Sequence, residues 1–517
     1  EIGVRLVGSE MCIRDRHITH NSQLTTQMKS YTLGRGLCAF ATCVLALGVA
    51  GCKSDNEPDN GGIQPPTPEI PASELTLTNT QRAIEIVDAA VENYFEGTGM
   101  AMSRYYNPYN GQKSSELGSV WMYTSSIEAV NSVLKSLKAQ KEAGKSSLYD
   151  ANFSRYSELL SKLVENLDFY AGTYTLTSYT GTNEWTVYGV NRGNGKGTAA
   201  VDGVLNVYDD QMWIVRELLE SYEATGNSAY LQKAEYLTSY VLDGWDCTLD
   251  ENGNQHGGIT WGPGYVTKHS CSNGPMVAPL VKLAEIYKGK SDQITYGVIN
   301  PDNSRSKETK AKADYYLEMA AAVYDYQMTH LLNPSTGVFD DMMGGDDNGG
   351  QIRYETVDGE TYRAYVHLND RVGTAYSYNT GTMISGAAAL YRATSDSNYL
   401  TDLHNLCDKS FSFFATPAAG KDGCYTFAIT GFNNWFNNVL ERGYVEAVDA
   451  YPGAGAYAEA FQANLDYAYD NFLYNHMLPP NLLVGWNSDR GRNNMEAMFT
   501  FAFAAEYASL AEYQLTK

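Results

Sequence analysis

Apolar residues recur at the three- and four-residue spacing of an α-helix through almost the whole chain. This spacing places apolar side chains on one face, which is stable only when it packs against other elements. Eleven segments show this spacing clearly, namely 84–94, 127–137, 156–170, 212–222, 230–241, 276–287, 316–326, 384–391, 399–413, 461–472 and 495–502. A twelfth segment lies near 435–448. The chain is therefore constrained to a mostly helical fold with many packed helices.

The connections between these segments alternate in length. Those at 224–227 and 394–397 are short and suit helical hairpins. Others are long and rich in glycine and aromatic residues, namely 172–203, 244–270, 334–377 and 416–440. The only strand-like segment of note lies near 174–188. We predict an all-α (α/α)6 barrel of six helical hairpins, with the long loops gathered at one end as a cleft. A superhelical repeat fold is the alternative, although the sequence has no fixed repeat period.

The N-terminal region divides into segments that do not belong to the barrel. Residues 1–27 resemble the translation of a sequencing adapter, and we exclude them as non-native. Residues 28–51 resemble a bacterial lipoprotein signal, with a basic start, an apolar stretch too short to span a membrane and a small-residue site before Cys52. Residues 52–75 form an acidic, proline-rich tether. We expect lipidation at Cys52, a membrane anchor outside the cytoplasm, and a folded domain over 76–517.

The acidic run after Cys52 resembles the export signal of surface lipoproteins in Gram-negative bacteria. This resemblance places the expected anchor in the outer membrane, on either the cell surface or the periplasmic face.

The charge balance excludes one large class of ligand. The chain has 60 acidic and 37 basic residues, for a formal net charge of −23. Nucleic acids bind mainly through Lys and Arg side chains that neutralise phosphates, so we expect no nucleic-acid partner. Aromatic residues make up 12% of the chain, which favours a neutral, hydroxylated ligand that stacks on Tyr and Trp. Carbohydrate is the first candidate.

Four cysteines lie in the expected folded domain: Cys247, Cys271, Cys407 and Cys424. Outside the cytoplasm they could pair, in any of three connectivities. No two of them have metal-ligand spacing, and the histidines form no zinc motif. The acidic segment 346–348 matches no EF-hand loop and is interpreted as a solvated loop. We therefore predict neither a metal site nor a cofactor.

Two adjacent carboxylates, Asp209 and Asp210, begin the helical segment that follows the first glycine-rich loop. At the start of a helix their carboxyl groups can settle about 5–5.5 Å apart, the separation that retaining glycosidases use. Such a pair should split its pKa values, leaving one carboxyl protonated as an acid and the other ionised as a nucleophile. Helix capping is the alternative role, because aspartate is favoured in a first helical turn.

The segment from Tyr208 to Trp213, Tyr-Asp-Asp-Gln-Met-Trp, resembles the signature of glycoside hydrolase family 76, which contains bacterial endo-α-1,6-mannanases and fungal wall-remodelling relatives. Further similar motifs follow the family's order, namely Ser119-Val120-Trp121-Met122-Tyr123, Gly257-Gly258-Ile259-Thr260-Trp261, Lys268, Asn273-Gly274 and Gly337-Val338-Phe339-Asp340. The resemblance covers roughly residues 80–515. It implies an (α/α)6 fold and cleavage of α-1,6-mannosidic bonds in a mannan backbone with retention of configuration, without a cofactor.

The resemblance also implies roles for individual residues. Asp209 would be the nucleophile and Asp210 the acid/base, while Asp340 would bind a sugar hydroxyl. Further predicted substrate contacts are Tyr208, Trp261, Tyr378 and Asn379. Trp261 and Tyr378 are expected to stack on sugar rings. Trp435 and Trp486 could also contact sugar, with packing in the core as the alternative. Asn273 is predicted either to bind a sugar hydroxyl or to shape the turn with Gly274. His256 and His269 are interpreted as loop structure.

Two departures from the family pattern affect the expected substrate contacts. Thr380 follows Tyr378-Asn379 where a glutamine is expected, and Asp341 follows Asp340 where glycine is usual. Two other functions remain open: transglycosylation of mannan on the same fold, and a surface glycan-binding lipoprotein without catalysis.

Overall fold

The computed structural model of the protein describes residues 71–344, 350–427 and 433–517. The predictions for 1–27, 28–51, Cys52 and the acidic segment 346–348 lie outside the described residues. The first described helix begins at Ala72, so the last four residues of the segment assigned to the tether are helical.

Twelve α-helices are present in the described residues, as the periodicity predicts. They are α1 (Ala72–Tyr94), α2 (Val120–Glu142), α3 (Ser147–Asn166), α4 (Tyr208–Thr225), α5 (Ser228–Asp243), α6 (Gly274–Tyr287), α7 (Lys312–His330), α8 (Ser377–Thr394), α9 (Ser397–Phe414), α10 (Asn433–Ala447), α11 (Gly455–Phe472) and α12 (Ala497–Tyr513). The predicted loop 416–440 is shorter than expected, because α10 begins at Asn433.

The even-numbered helices form a closed inner ring. Each of α2, α4, α6, α8, α10 and α12 packs against the next, and α12 returns to α2. The odd-numbered helices lie outside this ring and pack against its members. The chain is therefore an (α/α)6 barrel, and the predicted fold class is confirmed.

Burial along the helices matches this two-layer arrangement. In the inner helix α12 every residue except Ser509 and Glu512 is buried. The outer helix α9 buries a single stripe, composed of Leu403, Leu406, Cys407 and Ser410. A helix surrounded by others must be apolar on all sides, whereas an outer helix needs only one apolar face.

All inner helices begin at the same end of the barrel, because each is preceded by an outer helix that runs the other way. The connections into the inner helices are long, as in 167–207, 244–273 and 331–376, whereas those leaving them include the two-residue links 226–227 and 395–396. The long loops therefore gather over the N-terminal ends of the inner helices, as predicted.

Short strands are also present, most of them within the long loops between the helices. They are β1 (Phe95–Glu96), β2 (Ala101–Met102), β3 (Tyr105–Tyr106), β4 (Ala171–Thr177), β5 (Thr182–Tyr188), β6 (Lys268–His269), β7 (Gln293–Ile299), β8 (Arg305–Ala311), β9 (Met342–Met343), β10 (Tyr354–Val357), β11 (Glu360–Arg363), β12 (Arg371–Val372), β13 (Thr416–Pro417), β14 (Tyr425–Thr426) and β15 (Met495–Glu496). The β4–β5 hairpin was predicted from the sequence.

The prediction of a single strand-like segment is wrong, because β7–β8 and β10–β11 form two further antiparallel hairpins. Their strands are mostly exposed or half-buried, so they lack the apolar alternation that identifies a strand. Among the described helices, none combines the length and the apolar character that crossing a membrane requires.

Candidate active site

The first turn of α4 carries Asp209 and Asp210 at the end of the barrel where the long loops gather. The Tyr208 N–H donates to the Trp261 carbonyl at 2.8 Å, which joins the start of α4 to the loop between α5 and α6. The Tyr208 ring is buried beneath this junction against Tyr240, with ring centroids 5.1 Å apart. The structure thus places the Tyr208 side chain in the core under the two aspartates.

A close approach keeps the Tyr208 ring in this position. A Cβ atom at Gly244 would lie 2.6 Å from the ring, so a larger residue at that position would displace it. Tyr240 in turn donates its hydroxyl to Asn206 Oδ1 at 2.6 Å. Packing around the buried Tyr208 ring therefore fixes the position of the first turn of α4.

Burial shifts the ionisation of both aspartates. Asp210 is 7% exposed, and burial together with the charge of Asp209 raises its pKa well above the ordinary value. Burial raises the pKa of Asp209 to about 6, and the polar groups of Cys271 and Trp261 nearby limit this rise. Burial and the charge of its neighbour therefore favour the protonated form of Asp210 more than that of Asp209.

Trp261 forms one wall beside the pair. Its ring stacks on His269 at 4.9 Å between centroids and lies 4.6 Å from the ring of Tyr265. Trp261 is 4% exposed. Within the described residues, Trp261 Nε1 and Asp209 Oδ1 are buried, and neither has a hydrogen-bond partner. The structure thus places Trp261 as a buried wall of the site, rather than as an exposed stacking platform.

Asn273 is fully buried at the start of α6, and its side chain binds only backbone. Its amide nitrogen donates to the carbonyls of Ile259 and His269, and its oxygen accepts from the Ile259 N–H at 2.8 Å. Both amide hydrogens are thereby used. Of the two roles predicted for Asn273, this geometry favours the shaping of the loop.

The side chains of the neighbouring residues Asp340 and Asp341 have different contacts. The Asp340 carboxylate accepts from Arg371 Nε at 3.1 Å and from Asn333 Nδ2. Asp341 is 3% exposed, and its Oδ1 lies 4.0 Å from His269 Nδ1, next to the Trp261 wall. Asp341 therefore lies closer to the Trp261 wall, whereas Asp340, which the sequence predicts as the sugar ligand, forms an ion pair with Arg371.

Tyr378 and Asn379 lie in the first turn of α8. The Tyr378 ring is 8% exposed and stacks on Phe436 at 4.2 Å. Asn379 is fully buried, and its amide nitrogen and oxygen have no hydrogen-bond partner within the described part of the chain. A buried amide without partners is costly, so a water molecule or a ligand would stabilise it.

Aromatic rings fill the barrel axis below the pair. Trp213, one turn along α4 from Asp209, packs edge to face against Trp435 with centroids 4.8 Å apart. Trp435 also donates its N–H to Glu128 Oε2 at 3.0 Å. The structure therefore places Trp435 in the core, which was the alternative to sugar contact. Trp486 is half-buried in the loop before α12 and donates to the Phe472 carbonyl.

The four cysteines of the domain are free thiols, and all four are buried. In the ranges 71–344, 350–427 and 433–517, no three His, Cys, Asp or Glu side chains are grouped so that they could hold a metal ion.

The sequence profile of glycosyl hydrolase family 76 matches residues 169–296 and 307–445, just over half of the chain. The chain belongs to glycosyl hydrolase family 76. It is therefore a glycoside hydrolase, and Asp209 and Asp210 lie within the matched region. No match is found among the curated proteins.

Solved structures of other members have the same fold as this family 76 hydrolase. A family 76 mannosidase from Bacteroides thetaiotaomicron VPI-5482 is 20% identical with a TM-score of 0.62, over 85% of this chain and 99% of that chain. An inactive variant of an α-1,6-mannanase of Salegentibacter sp. HEL1_6, in complex with α-1,6-mannotriose, is 17% identical with a TM-score of 0.55, over 84% and 99% of the two chains. A family 76 α-mannanase from Bacteroides thetaiotaomicron is 16% identical with a TM-score of 0.56, over 85% and 96%.

Two residues that support the loops around the site of this family 76 hydrolase were not predicted from its sequence. Gln211 binds the backbone of Tyr188, and Arg363 donates to the carbonyls of Pro263 and Tyr265 in the turn after Trp261. Gln211 lies inside the Tyr-Asp-Asp-Gln-Met-Trp signature, which could have indicated a role. Arg363 lies in a strand that the sequence did not predict, and no local pattern identifies it.

Proposed function

We propose that this family 76 hydrolase cleaves α-1,6-mannosidic bonds of a mannan backbone by double displacement with retention of configuration. Asp209 attacks the anomeric carbon while the departing sugar oxygen takes the proton of Asp210. Asp210 then accepts a proton from water, which attacks the same carbon and releases Asp209. Each carboxyl group returns to its starting state after one cycle.

The observation that carries the proposal is the adjacent carboxyl pair at the start of α4. Burial and the charge of Asp209 raise the pKa of Asp210 well above its ordinary value, which favours a protonated Asp210 beside an ionised Asp209. This division supplies one acid and one nucleophile near neutral pH. Asp210 also starts the cycle in the protonation state that leaving-group departure requires.

Further support comes from the Salegentibacter α-1,6-mannanase. Two consecutive aspartates are replaced by asparagine in its inactive variant, which is in complex with α-1,6-mannotriose. A second inactive variant, with both aspartates replaced by alanine, is in complex with α-1,6-mannotetrose. The substrate class proposed for this chain agrees with these complexes.

The first test is hydrolysis of linear, debranched α-1,6-mannan, followed by chromatography of the products over time. We expect a ladder of short oligosaccharides from the wild-type protein, and no products from Asp209→Asn or Asp210→Asn. Asp202→Asn is the matched control, because Asp202 is an exposed aspartate in the same loop region. Full hydrolysis by either paired variant would overturn the assignment, as would binding of mannan by the wild type without any products.

The stereochemical outcome is tested separately by proton NMR of the first product formed. Retention predicts that the α-anomer appears first and then equilibrates, whereas initial release of the β-anomer would contradict a double displacement. Adding an α-1,6-mannooligosaccharide acceptor distinguishes hydrolysis from transglycosylation. Hydrolysis predicts an unchanged product ladder, whereas transfer predicts products longer than the acceptor.

We also propose that the protein is anchored by a lipid on Cys52, outside the cytoplasm. The support is the order of the N-terminal sequence, in which the apolar stretch 37–49 precedes the small residues and Cys52. Radiolabelled palmitate should enter the wild-type protein during expression in a Gram-negative host, but should not enter Cys52→Ser. Equal labelling of both proteins would contradict the anchor.

A further inference from the structure

A separate cavity of about 110 Å³ lies where the helices α10, α11 and α12 meet. Each of these helices contributes two residues three positions apart, which share one helix face, namely Asn434 and Asn437, Phe461 and Asn464, and Phe503 and Glu506. The loop segments 425–427 and 481–484 complete the walls. Because these segments belong to the loops that enter α10 and α12, the cavity opens at the same end of the barrel as the catalytic pair.

The cavity is nevertheless remote from the catalytic pair. In the closed inner ring, α10 is opposite α4, which carries Asp209 and Asp210. Packed neighbouring helices lie about 8–10 Å apart, so opposite helices of a six-membered ring are about 16–20 Å apart. A ligand in this cavity therefore does not touch the reacting carboxyl groups.

Glu506 is a buried carboxyl group in the wall of the cavity. The residue is only 2% exposed, although it lines the cavity. No hydrogen bond reaches its carboxyl group within the described residues, and burial together with the charge of Glu128 raises its pKa well above the ordinary value. The protonated form, with one O–H donor and one carbonyl acceptor, is thereby favoured. A buried polar group without a partner is costly, so a ligand with hydroxyl groups would stabilise Glu506.

Three asparagines hold the walls of the cavity in place. Asn434 Nδ2 donates to the Pro480 carbonyl at 2.9 Å, and Asn464 binds both backbone groups of Tyr425 at 2.8 and 3.0 Å. Asn481 Oδ1 accepts two backbone N–H groups of its own loop at 3.1 Å. The walls are therefore preorganised, and the amide groups of Asn434 and Asn464 each keep a second hydrogen for a ligand.

The rest of the lining indicates the class of ligand. Phe427, Phe461 and Phe503 are buried and give the cavity an apolar surface. No Lys, Arg or His lines it within the described part of the chain, so nothing there favours an anion. Aromatic rings beside a few amide and carboxyl groups match a sugar, which has apolar C–H faces and a rim of hydroxyl groups. A cavity of about 150 Å³ holds one benzene molecule, so this smaller one holds at most part of a single sugar ring.

We propose that this cavity is a second sugar-binding site, which holds one mannosyl unit of the mannan substrate through Glu506 and the surrounding amide groups. The inference rests on the proposed function, since it takes the sugar from the proposed substrate. A unit bound here tethers a long chain while another part of the same chain lies at Asp209 and Asp210. The site thus increases the affinity for long chains and makes no contribution to bond cleavage.

The first test is affinity electrophoresis in gels that contain linear α-1,6-mannan, with Asp209→Asn in every protein so that the polymer is not cut. Glu506→Leu removes both hydrogen-bonding atoms at similar volume, and the dissociation constant should rise about three- to tenfold, the effect of one lost hydrogen bond. Glu506→Gln is the matched control, because an amide keeps a donor and an acceptor, and it should bind mannan as its parent does. The melting temperature of Glu506→Leu should not fall, since the carboxyl group that it removes has no partner.

A second pair of variants tests the cavity from its rim, without any change in the core. Val484 lines the cavity and is 72% exposed, so both replacements should leave the fold intact. Val484→Arg should obstruct the opening and weaken mannan binding by a similar factor, whereas Val484→Ala should leave binding unchanged. The inference is overturned if Glu506→Leu and Val484→Arg both bind mannan as tightly as their parent. It is also overturned if Glu506→Gln weakens binding as much as Glu506→Leu does.

These results can be separated from the fate of the proposed function. Hydrolysis of mannan by the wild type, together with undiminished binding by Glu506→Leu and Val484→Arg, would reject the second site and keep the function. Binding of mannan that depends on Glu506, in a protein whose wild type does not hydrolyse mannan, would keep the site and reject the proposed activity.

Discussion

The Gln211 side chain is hydrogen-bonded at both ends to the backbone of Tyr188. Its Oε1 accepts from the Tyr188 N–H at 3.1 Å, and its Nε2 donates to the Tyr188 carbonyl at 2.7 Å. Tyr188 is the last residue of β5, and Gln211 directly follows Asp210. The pair therefore couples the first turn of α4 to the β4–β5 hairpin, and fixes the position of the two aspartates.

Replacing Gln211 by alanine should lower kcat by at least tenfold, because both hydrogen bonds to Tyr188 are lost and the first turn of α4 can shift. A small misplacement of reacting groups can cost up to about a hundredfold in rate. The free energy of unfolding should fall by about 2–3 kcal/mol, since a buried N–H and a buried carbonyl lose their partner. Steady-state kinetics and urea denaturation measure the two effects.

The matched control is Gln232→Ala, at an exposed position of α5. This variant should retain wild-type kcat and stability. Wild-type kcat in Gln211→Ala would show that β5 does not position the aspartates.

Activity should depend on pH through the two aspartates. Burial raises the pKa of Asp209 to about 6, and the nucleophile must be ionised, so kcat/KM should increase as the pH rises through about 6. The pKa of Asp210 is raised further, and its proton is needed for departure of the leaving group, so activity should fall again at higher pH. The two limbs belong to the coupled pair. An acid limb near pH 4 would contradict the effect of burial on Asp209.

The same ionisation should make the folded protein less stable at neutral pH. The pKa of Asp209 rises from 3.8 to about 6 on folding, so the folded protein binds more protons in that interval. The free energy of unfolding therefore decreases as the pH rises from about 4 to 6, and the loss persists at pH 7. Because Asp209 is partly exposed, Asp209→Asn should recover about 1–2 kcal/mol at pH 7.

Urea denaturation of Asp209→Asn and the wild type at pH 4 and pH 7 tests this effect. The gain should be present at pH 7 and absent at pH 4, and Asp202→Asn should show no gain at either pH. A variant that is less stable than the wild type at pH 7 would mean that the Asp209 carboxylate stabilises the fold.

The helical frame could be predicted because apolar residues recur at helical spacing in every helix, on one face of the outer helices and on nearly all sides of the inner ones. The position of Asp209 and Asp210 could also be predicted, since the signature is local in sequence and lies at a helix start. The hairpins β7–β8 and β10–β11 could not, because their side chains are largely exposed and contribute little to any core. The turn between β7 and β8 has the turn-forming sequence Pro-Asp-Asn-Ser at 301–304, but a turn alone does not identify the strands on either side.

The finer assignments depended on contacts between residues that lie far apart in the sequence of one long loop. Asp340 and Asp341 are neighbours in sequence, but Arg371 binds Asp340, while Asp341 packs under Gly373. A Cβ at Gly373 would lie 2.6 Å from Asp341 Cβ, and its φ of +95° favours glycine. Neither Arg371 nor Gly373 is close enough in sequence for a local pattern to distinguish the two aspartates.

A buried ion pair beneath the site gives the last prediction. Glu128 on α2 accepts hydrogen bonds from Trp435 Nε1 at 3.0 Å, from Asn438 Nδ2 at 3.0 Å and from Arg442 on α10. Glu128 and Arg442 are almost fully buried. Arg442→Met should therefore cost about 3–5 kcal/mol of unfolding free energy, because it leaves the Glu128 charge in the core without its cation.

The double variant Glu128→Gln with Arg442→Met should lose less stability than Arg442→Met alone, since the Glu128 charge is then removed together with its cation. Arg155→Met serves as the control, because Arg155 and Asp88 form an ion pair in which both side chains are 45% exposed. An exposed pair contributes at most about 1 kcal/mol. If Arg442→Met costs no more than Arg155→Met in urea denaturation, the barrel axis admits enough water to solvate Glu128, and the aromatic packing of Trp213 and Trp435 does not seal it.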